Sequence, residues 1–332
     1  MRRIVQVGLG PVGVSLARTV VERVGLELVG AADSSPDLAG RDLGEILGLG
    51  RFGVLVGADA GEVVDATNPD IVLHATSSHL PEAEAQIRAL LSKGVSVIST
   101  CEELSYPFYR HPALAQELDA IAVDRGVILL GTGVNPGFVM DKLVATLLGA
   151  CRSVDRVRVR RVVDASLRRG PLQKKIGAGI TVSEFEDRAR AGRIGHVGLA
   201  ESAHMLADVL GVGAERVVSE RLAPRIAERA VRTDFVLVEP GQVAGVEHLV
   251  VVEAGGRERV RLALEMFVGA QSSVDEVAID GSPSLEMTIP GGIHGDQGTA
   301  NVVVNCACLL DRLAPGLRTM LDVPLRLALE AR

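Results

Sequence analysis

Along the first part of the chain, short apolar runs alternate with segments whose apolar residues recur every three or four positions. Residues 4–7 form a β-branched run that stops at Gly8-Leu9-Gly10-Pro11-Val12-Gly13; Val14, Leu16, Ala17, Val20 and Val21 then follow at helical spacing. The pattern predicts strand, glycine turn and helix, then a second strand, Leu26–Ala32, ending at Asp33, twenty residues beyond Gly13. Further strands are predicted at 71–75, 95–98 and 127–130, with a helix over 81–91. Strands that alternate with helices build a parallel sheet covered on both faces.

Past residue 138 the rhythm changes. Residues 154–163 alternate valine with arginine and aspartate, the period of a strand with one buried face. Helices are predicted over 182–193 and 198–210, the second carrying His204, and extended segments over 217–222 and 233–238. Strands follow over 246–253, Arg257–Phe267 and 284–289, and a glycine-rich segment, 290–301, leads into a helix over 302–313.

Length and composition sharpen this picture. At 332 residues the chain exceeds the roughly 250–300 over which one core keeps growing, so two domains are expected. We assign residues 1–138 to an N-terminal Rossmann domain with a parallel sheet, and 139–300 to a substrate and dimerisation domain of α+β type with an open mixed sheet. A C-terminal helix over 301–332 is expected to pack back on the first domain.

A net charge of −7 with no basic stripe argues against nucleic acid as partner, and two Tyr, six Phe and no Trp leave little for base stacking. The four cysteines have no metal-ligand spacing and build no disulfide framework, so no metal and a reducing cytoplasm are expected. Arg2 and Arg3 before an apolar run imitate a secretory signal, but three glycines make a poor signal core. No run reaches the ~18 apolar residues of a membrane span, so no membrane is expected and the partner is a small molecule.

Gly8 permits a tight turn, Gly10 lets the backbone approach a pyrophosphate, and Gly13 lets the helix pack closely on the strand. Pro11 and Val12 open that helix, whose free N–H groups and dipole favour phosphate. Asp33 is placed to accept hydrogen bonds from the adenosine ribose, with Ser34 beside it. The carboxylate repels a 2′-phosphate and favours NAD, while Ser34, Ser35 and Arg41 leave NADP open. Thr76 and Ser77 after the strand at 71–75, and Asn135-Pro136 after the strand at 127–130, are further cofactor candidates, since carboxyl ends of such strands face the crevice. His79 reads equally as a capping residue.

The strand at 95–98 runs into Glu102 and Glu103. The pair fits either a helix start, where acids complement the dipole, or a proton-transfer site. In the second half, Arg168 and Arg169 head a basic stretch, to Lys175, that fits an anion or substrate loop or a solvated surface. His294 lies where a glycine-rich loop enters a helix that could return to the crevice.

Together, the fingerprint, Ser99-Thr100-Cys101-Glu102-Glu103, Gly131-Thr132-Gly133-Val134-Asn135-Pro136-Gly137-Phe138, Lys175-Ile176-Gly177-Ala178-Gly179 and the His294 loop resemble the 2,4-diaminopentanoate dehydrogenases and native amine dehydrogenases. That family is related in fold to dihydrodipicolinate reductase. The resemblance implies an NAD(P)-dependent amine dehydrogenase, a homodimer, oxidising a primary amine or diamino acid to a ketone with release of ammonia and reversible as reductive amination. Its acid/base would be Glu102 or Glu103, with Glu102 nearer the strand end; Arg168 or Arg169 would hold a substrate carboxylate, with His294 near the substrate. Two other readings stand beside it. A dihydrodipicolinate reductase activity calls for adjacent histidines, which none of the seven here are. A non-catalytic NAD(P)-binding regulator would have no use for the acidic pair.

Overall fold

The computed structural model describes residues 1–213 and 215–325. They divide into two compact units, Met1–Phe138 with the segment from His294 onward, and Val139–Ile293.

The first unit is built on β1 (Arg2–Val7), β2 (Leu26–Ala32), β3 (Val56–Gly57), β4 (Ile71–His74), β5 (Ser96–Ser99), β6 (Ile128–Gly131) and a late strand, Gly316–Arg318. Their order is Gly316–Arg318, β6, β5, β4, β1, β2, β3, and every pair is parallel. Chain order reverses at β1, so the ligand crevice of such a sheet opens at the carboxyl ends beside it. Alternate residues feed two cores. Val5, Val7, Val72, Val97 and Leu129 pack with Ile87 and Leu90 of the helix Leu80–Ser92 and Leu118 of the helix Pro112–Asp124. Ile4, Leu73, Ile98 and Leu130 pack with Leu16 and Val20 of the helix Pro11–Val21 and Val303 and Val304 of the helix Gly295–Ala307. Burial on both faces is why these strands read as nearly continuous apolar runs.

The predicted helix over 301–332 is corrected. The helix starts at Gly295, because His294 caps it by accepting from the Gln297 amide and Asp296 lies in its first turn, where the dipole favours an acid. It ends at Ala307; after a short 3-10 turn, Leu310–Arg312, Pro315 bars further helix and the chain adds the strand Gly316–Arg318 to the sheet. Residues 326–332 of that expected helix lie outside the described residues.

The second unit holds β7 (Ser153–Asp164), β8 (Val217–Ile226), β9 (Val231–Arg232), β10 (Leu237–Val238), β11 (Val243–Ala254), β12 (Arg257–Phe267), β13 (Val274–Ser282) and β14 (Leu285–Pro290). The order β14, β13, β7, β12, β11, β8 makes a mixed sheet in which β7 and β12 run parallel and the other pairs antiparallel. Val157, Val159, Leu262, Leu264, Val246, Val250, Val277 and Ile279 share its buried face, and the helix Leu199–Val209 is packed against β11 and β12. The other face is a half-exposed lattice of ion pairs, Arg156 with Asp280, Arg160 with Glu265 and Glu276, and Arg225 with Glu247.

Two local expectations change here. Residues 233–238 are not one extended segment: 233–236 are the turn of the β9–β10 hairpin, closed where Thr233 Oγ1 accepts from the Phe235 and Val236 amides, and only 237–238 are strand. The pattern also missed β13, because Asp275 occupies one of its inward positions, opposite Arg161.

Candidate active site

The glycine turn follows β1. Gly8 has φ +84 and its missing Cβ would lie 2.3 Å from Ala75 O; a Cβ on Gly13 would lie 1.9 Å from Gly8 O. Any side chain at either position displaces backbone. A Cβ on Gly10, in contrast, meets nothing within 4 Å, so the turn presents open space at its centre. Gly10 caps the helix Pro11–Val21 with no side-chain hydrogen bond, and Pro11 and Val12 form its first turn. Asp33, at the end of β2, turns back toward this turn: Oδ2 accepts from the Leu9 amide at 2.6 Å and Oδ1 from the Ser35 amide at 2.8 Å. Ser34 beside it is exposed.

Beyond β4, the Thr76 hydroxyl lies 2.9 Å from His74 Nε2, and Ser77 Oγ donates to Glu82 and accepts from the His79 amide, starting the next helix. His74 is fully buried. Its Nδ1 meets Ser99 Oγ and its Nε2 meets Gln86 Oε1, each at 2.9 Å, and burial pushes the imidazole down to about 4 against the modest opposing effect of Gln86. Ser99 Oγ in turn accepts from the Cys101 amide at 3.1 Å. A neutral histidine thus steadies the peptide that leads into the acidic pair.

Glu102 and Glu103 open a 3-10 turn, Glu102–Ser105, at the carboxyl end of β5. The turn rests on Gly131, where a Cβ would lie 2.4 Å from Leu104 O. Its two acids have different surroundings. Glu103 is buried, and its carboxylate accepts from His79 Nδ1 at 3.1 Å, the Leu80 amide at 2.8 Å and His111 Nε2 at 2.9 Å. Burial alone would raise its pKa, but the bonds from His79, Leu80 and His111 together outweigh burial and hold the carboxyl below its ordinary value. His79 and His111 are the N-cap residues of the helices Leu80–Ser92 and Pro112–Asp124. Glu103 therefore ties two helix starts to the turn. Glu102 is half-buried. The Cys101 thiol before it is pushed by burial up to about 12 and stays protonated at neutral pH.

After β6, Gly137 (φ +126) folds onto Gly133, whose N would lie 2.5 Å from a Cβ there. This bend carries Asn135 and Pro136, and the Val134 amide donates to Thr299 Oγ1 in the helix that His294 caps. His294 itself is exposed.

In the second unit, Arg168 lies in a turn before the short helix Gly170–Lys175, and Arg169 is that helix's N-cap residue. Gln173, buried, donates from Nε2 to Ala165 O, Ser166 O and Arg168 O, so the turn is held from within. Lys174 and Lys175 are exposed. Arg161 points inward and pairs with Asp275 at 2.7 Å; the pair also brackets Ile293, whose N–H donates to Asp275 and whose carbonyl accepts from Arg161. Burial lowers the Arg161 pKa, Asp275 opposes this, and the charge of Arg168 adds to the lowering.

Residues 138–332 match the family model of the 2,4-diaminopentanoate dehydrogenase C-terminal domain, and residues 2–101 match that of the dihydrodipicolinate reductase N-terminus. The chain belongs to the 2,4-diaminopentanoate dehydrogenase family. It is an oxidoreductase. The 2,4-diaminopentanoate dehydrogenase of Acetoanaerobium sticklandii is 32% identical over 97% of this chain and 93% of its own length. An amine dehydrogenase of Streptomyces virginiae is 28% identical over 97% and 96% of the two chains. The structure of an amine dehydrogenase from Mycobacterium smegmatis superposes with a TM-score of 0.86 at 29% identity, covering 99% of this chain and 97% of that one.

A dehydrogenase needs a hydride acceptor, and the glycine turn fits a dinucleotide. Gly8 and Gly13 leave no room for side chains, Gly10 leaves room for a ligand, and the helix start is uncapped. Among the described residues no three His, Cys, Asp or Glu side chains group to hold a metal, and no helix is long and apolar enough to cross a membrane. The sequence pattern passed over Gln6, His74, His111 and Thr299. Gln6 and His74 were visible as polar interruptions in apolar runs beside the site; His111 and Thr299 carried no local signal.

Proposed function

We propose that this family member oxidises the CH–NH2 carbon of a small primary amine bearing a carboxylate, of the 2,4-diaminopentanoate type, to the ketone with release of ammonia. The protonated amine, water and NAD+ give ketone, ammonium, NADH and one proton, and the reverse is reductive amination. The observation that carries the assignment is the difference in burial within the acidic pair at the carboxyl end of β5: Glu103 is buried against His79, Leu80 and His111, whereas Glu102 on the same turn is half-buried and accessible to a ligand.

Glu102 takes a proton from the substrate ammonium, because only the neutral amine has the lone pair that supports a cationic carbon. Bound nicotinamide, held by Gly8, Gly10, Pro11, Val12, Gly13 and Asp33, with Ser34, Thr76, Ser77, Asn135 and Pro136 along the same sheet edge, supplies the two-electron acceptor. Glu102 releases that proton to solvent, and its carboxylate then lies near the cationic C=N product and stabilises it. The same group accepts a proton from the water that adds to this carbon and returns it to the nitrogen, so that ammonia leaves. Glu103 acts as a positioning residue. Arg168, on its braced turn, is the proposed partner of the substrate carboxylate, with Arg169 and His294 as further substrate contacts.

Asp33 supports NAD+ over NADP+, since a 2′-phosphate at that carboxylate meets like charge. The four cysteines, all thiols, support a reducing cytoplasm. The homodimer rests on the family resemblance. The test is NAD+ reduction with 2,4-diaminopentanoate and with a primary amine of like size that has no carboxylate. Arg168→Ala is expected to raise KM for the first by about tenfold or more, the worth of a charged hydrogen bond, and to alter the second little. Equal activity of wild type and variant on both would remove Arg168 from the site; no turnover of either by wild type would remove the amine reading.

A further inference from the structure

Gln6 is the polar exception in β1. Its side chain is fully buried two residues before the glycine turn, and Nε2 donates to Val7 O at 3.1 Å and Gly8 O at 2.9 Å, while Oε1 has no hydrogen-bond partner. A buried amide oxygen left unpaired lowers stability. A strand shaped for stability alone would place an apolar residue here, as it does at Ile4, Val5 and Val7.

What the amide accomplishes lies one peptide further on. The Gly8–Leu9 peptide is gripped at both ends, its carbonyl by Gln6 Nε2 and its N–H by Asp33 Oδ2 at 2.6 Å. In a planar trans peptide these two groups point in opposite directions, so the two side chains fix one plane from two sides. Gly8 has no side chain to resist rotation and sits at φ +84, and Gly13 leaves no space above the same carbonyl.

We infer that Gln6 is a positioning and specificity residue for the coenzyme, an inference that rests on the dinucleotide reading of the turn. By holding Gly8 O it sets the plane of the Gly8–Leu9 peptide and so the edge the turn shows to a pyrophosphate. Through the Leu9 N–H it aims the Asp33 carboxylate, the group that separates an adenosine 2′-hydroxyl from a 2′-phosphate. The second oxygen of Asp33 is tied to the Ser35 amide, so the carboxylate is aimed only while both ends of this relay hold.

The test is calorimetric titration of the coenzyme-free protein with NAD+, NADP+ and ADP-ribose, beside thermal unfolding and steady-state rates. Gln6→Met removes the donor and the unpaired acceptor together at similar length. It is expected to raise Kd for NAD+ and ADP-ribose by about tenfold, the scale of one hydrogen bond, and to narrow the NAD+/NADP+ preference, without lowering Tm. In turnover the loss is expected in KM for NAD+ more than in kcat. Gln6→Asn keeps the amide but is one methylene too short to reach Gly8 O; it is expected to weaken NAD+ in the same way and decides the matter if Gln6→Met does not fold. Wild-type Kd values in either folded variant overturn the role of Gln6. Gly10→Val, which fills open space in the turn, separates the two layers of the reasoning. Lost NAD+ binding in Gly10→Val with unchanged binding in the Gln6 variants overturns Gln6 alone, whereas unchanged binding in Gly10→Val overturns the dinucleotide reading.

Discussion

Glu103 Oε2 lies 2.9 Å from His111 Nε2, which joins the turn after β5 to the start of a helix that begins nine residues later. The same oxygen accepts from the Leu80 amide, so Glu103 serves two helix starts at once. Glu103→Ala is expected to reduce the unfolding free energy by about 2 kcal/mol or more, the scale of losing hydrogen bonds to a buried charge. Its folded carboxyl sits below the ordinary value, so its contribution is present above the unfolded carboxyl pKa and is lost as pH falls through the folded one. Urea titrations of Glu103→Gln should show a flatter acid limb below about pH 4 than wild type; parallel limbs would mean that the carboxylate contributes no linkage.

His74 makes a second pH-dependent contribution of known sign. Burial lowers its pKa from 6.5 to about 4, so the unfolded chain binds more protons between those values and stability falls as pH drops through that window. The loss amounts to about 3 kcal/mol when the window is crossed completely. His74→Asn is expected to flatten the slope of unfolding free energy between pH 6.5 and 4.5. A wild-type slope in the variant would show that the imidazole is charged in the fold.

Arg161 and Asp275 are cross-strand neighbours on the buried face of the second unit's sheet. Asp275→Ala strands a buried guanidinium and releases the Ile293 amide, with an expected cost of about 3–5 kcal/mol in chemical denaturation. The double replacement Arg161→Met with Asp275→Leu is expected to recover most of that cost, since it removes the charge along with its partner. A loss below about 1 kcal/mol for Asp275→Ala would place the pair among exposed ones.

Local features were legible in the sequence and long-range ones were not. Gly8, Gly10 and Gly13, the runs of β1 and β2, and Asp33 at the end of β2 are each specified by near neighbours, and they lie as the spacing predicts. The different surroundings of Glu102 and Glu103 depend on His79, 24 positions from Glu103, which only the packing of the helix Leu80–Ser92 brings there. Arg161 falls in the inward register of Val157 and Val159, and the partner that lets an arginine stay there is 114 residues away. The predicted helix runs past Ala307 because its apolar spacing continues into the 3-10 turn, beyond which Pro315 bars helix. The spacing marks Asp33 as a ribose ligand, but its bond to the Leu9 amide, which makes it a brace of the turn as well, has no sequence signature.

The most direct measurement compares Glu102→Gln with Glu103→Gln in NAD+ reduction by 2,4-diaminopentanoate across pH. If Glu102 is the base, Glu102→Gln loses about 100-fold or more in kcat and the acid limb of the kcat/KM profile disappears, while Glu103→Gln keeps that limb and loses chiefly stability. Wild-type rates in Glu102→Gln, or loss of the acid limb in Glu103→Gln alone, would contradict the account.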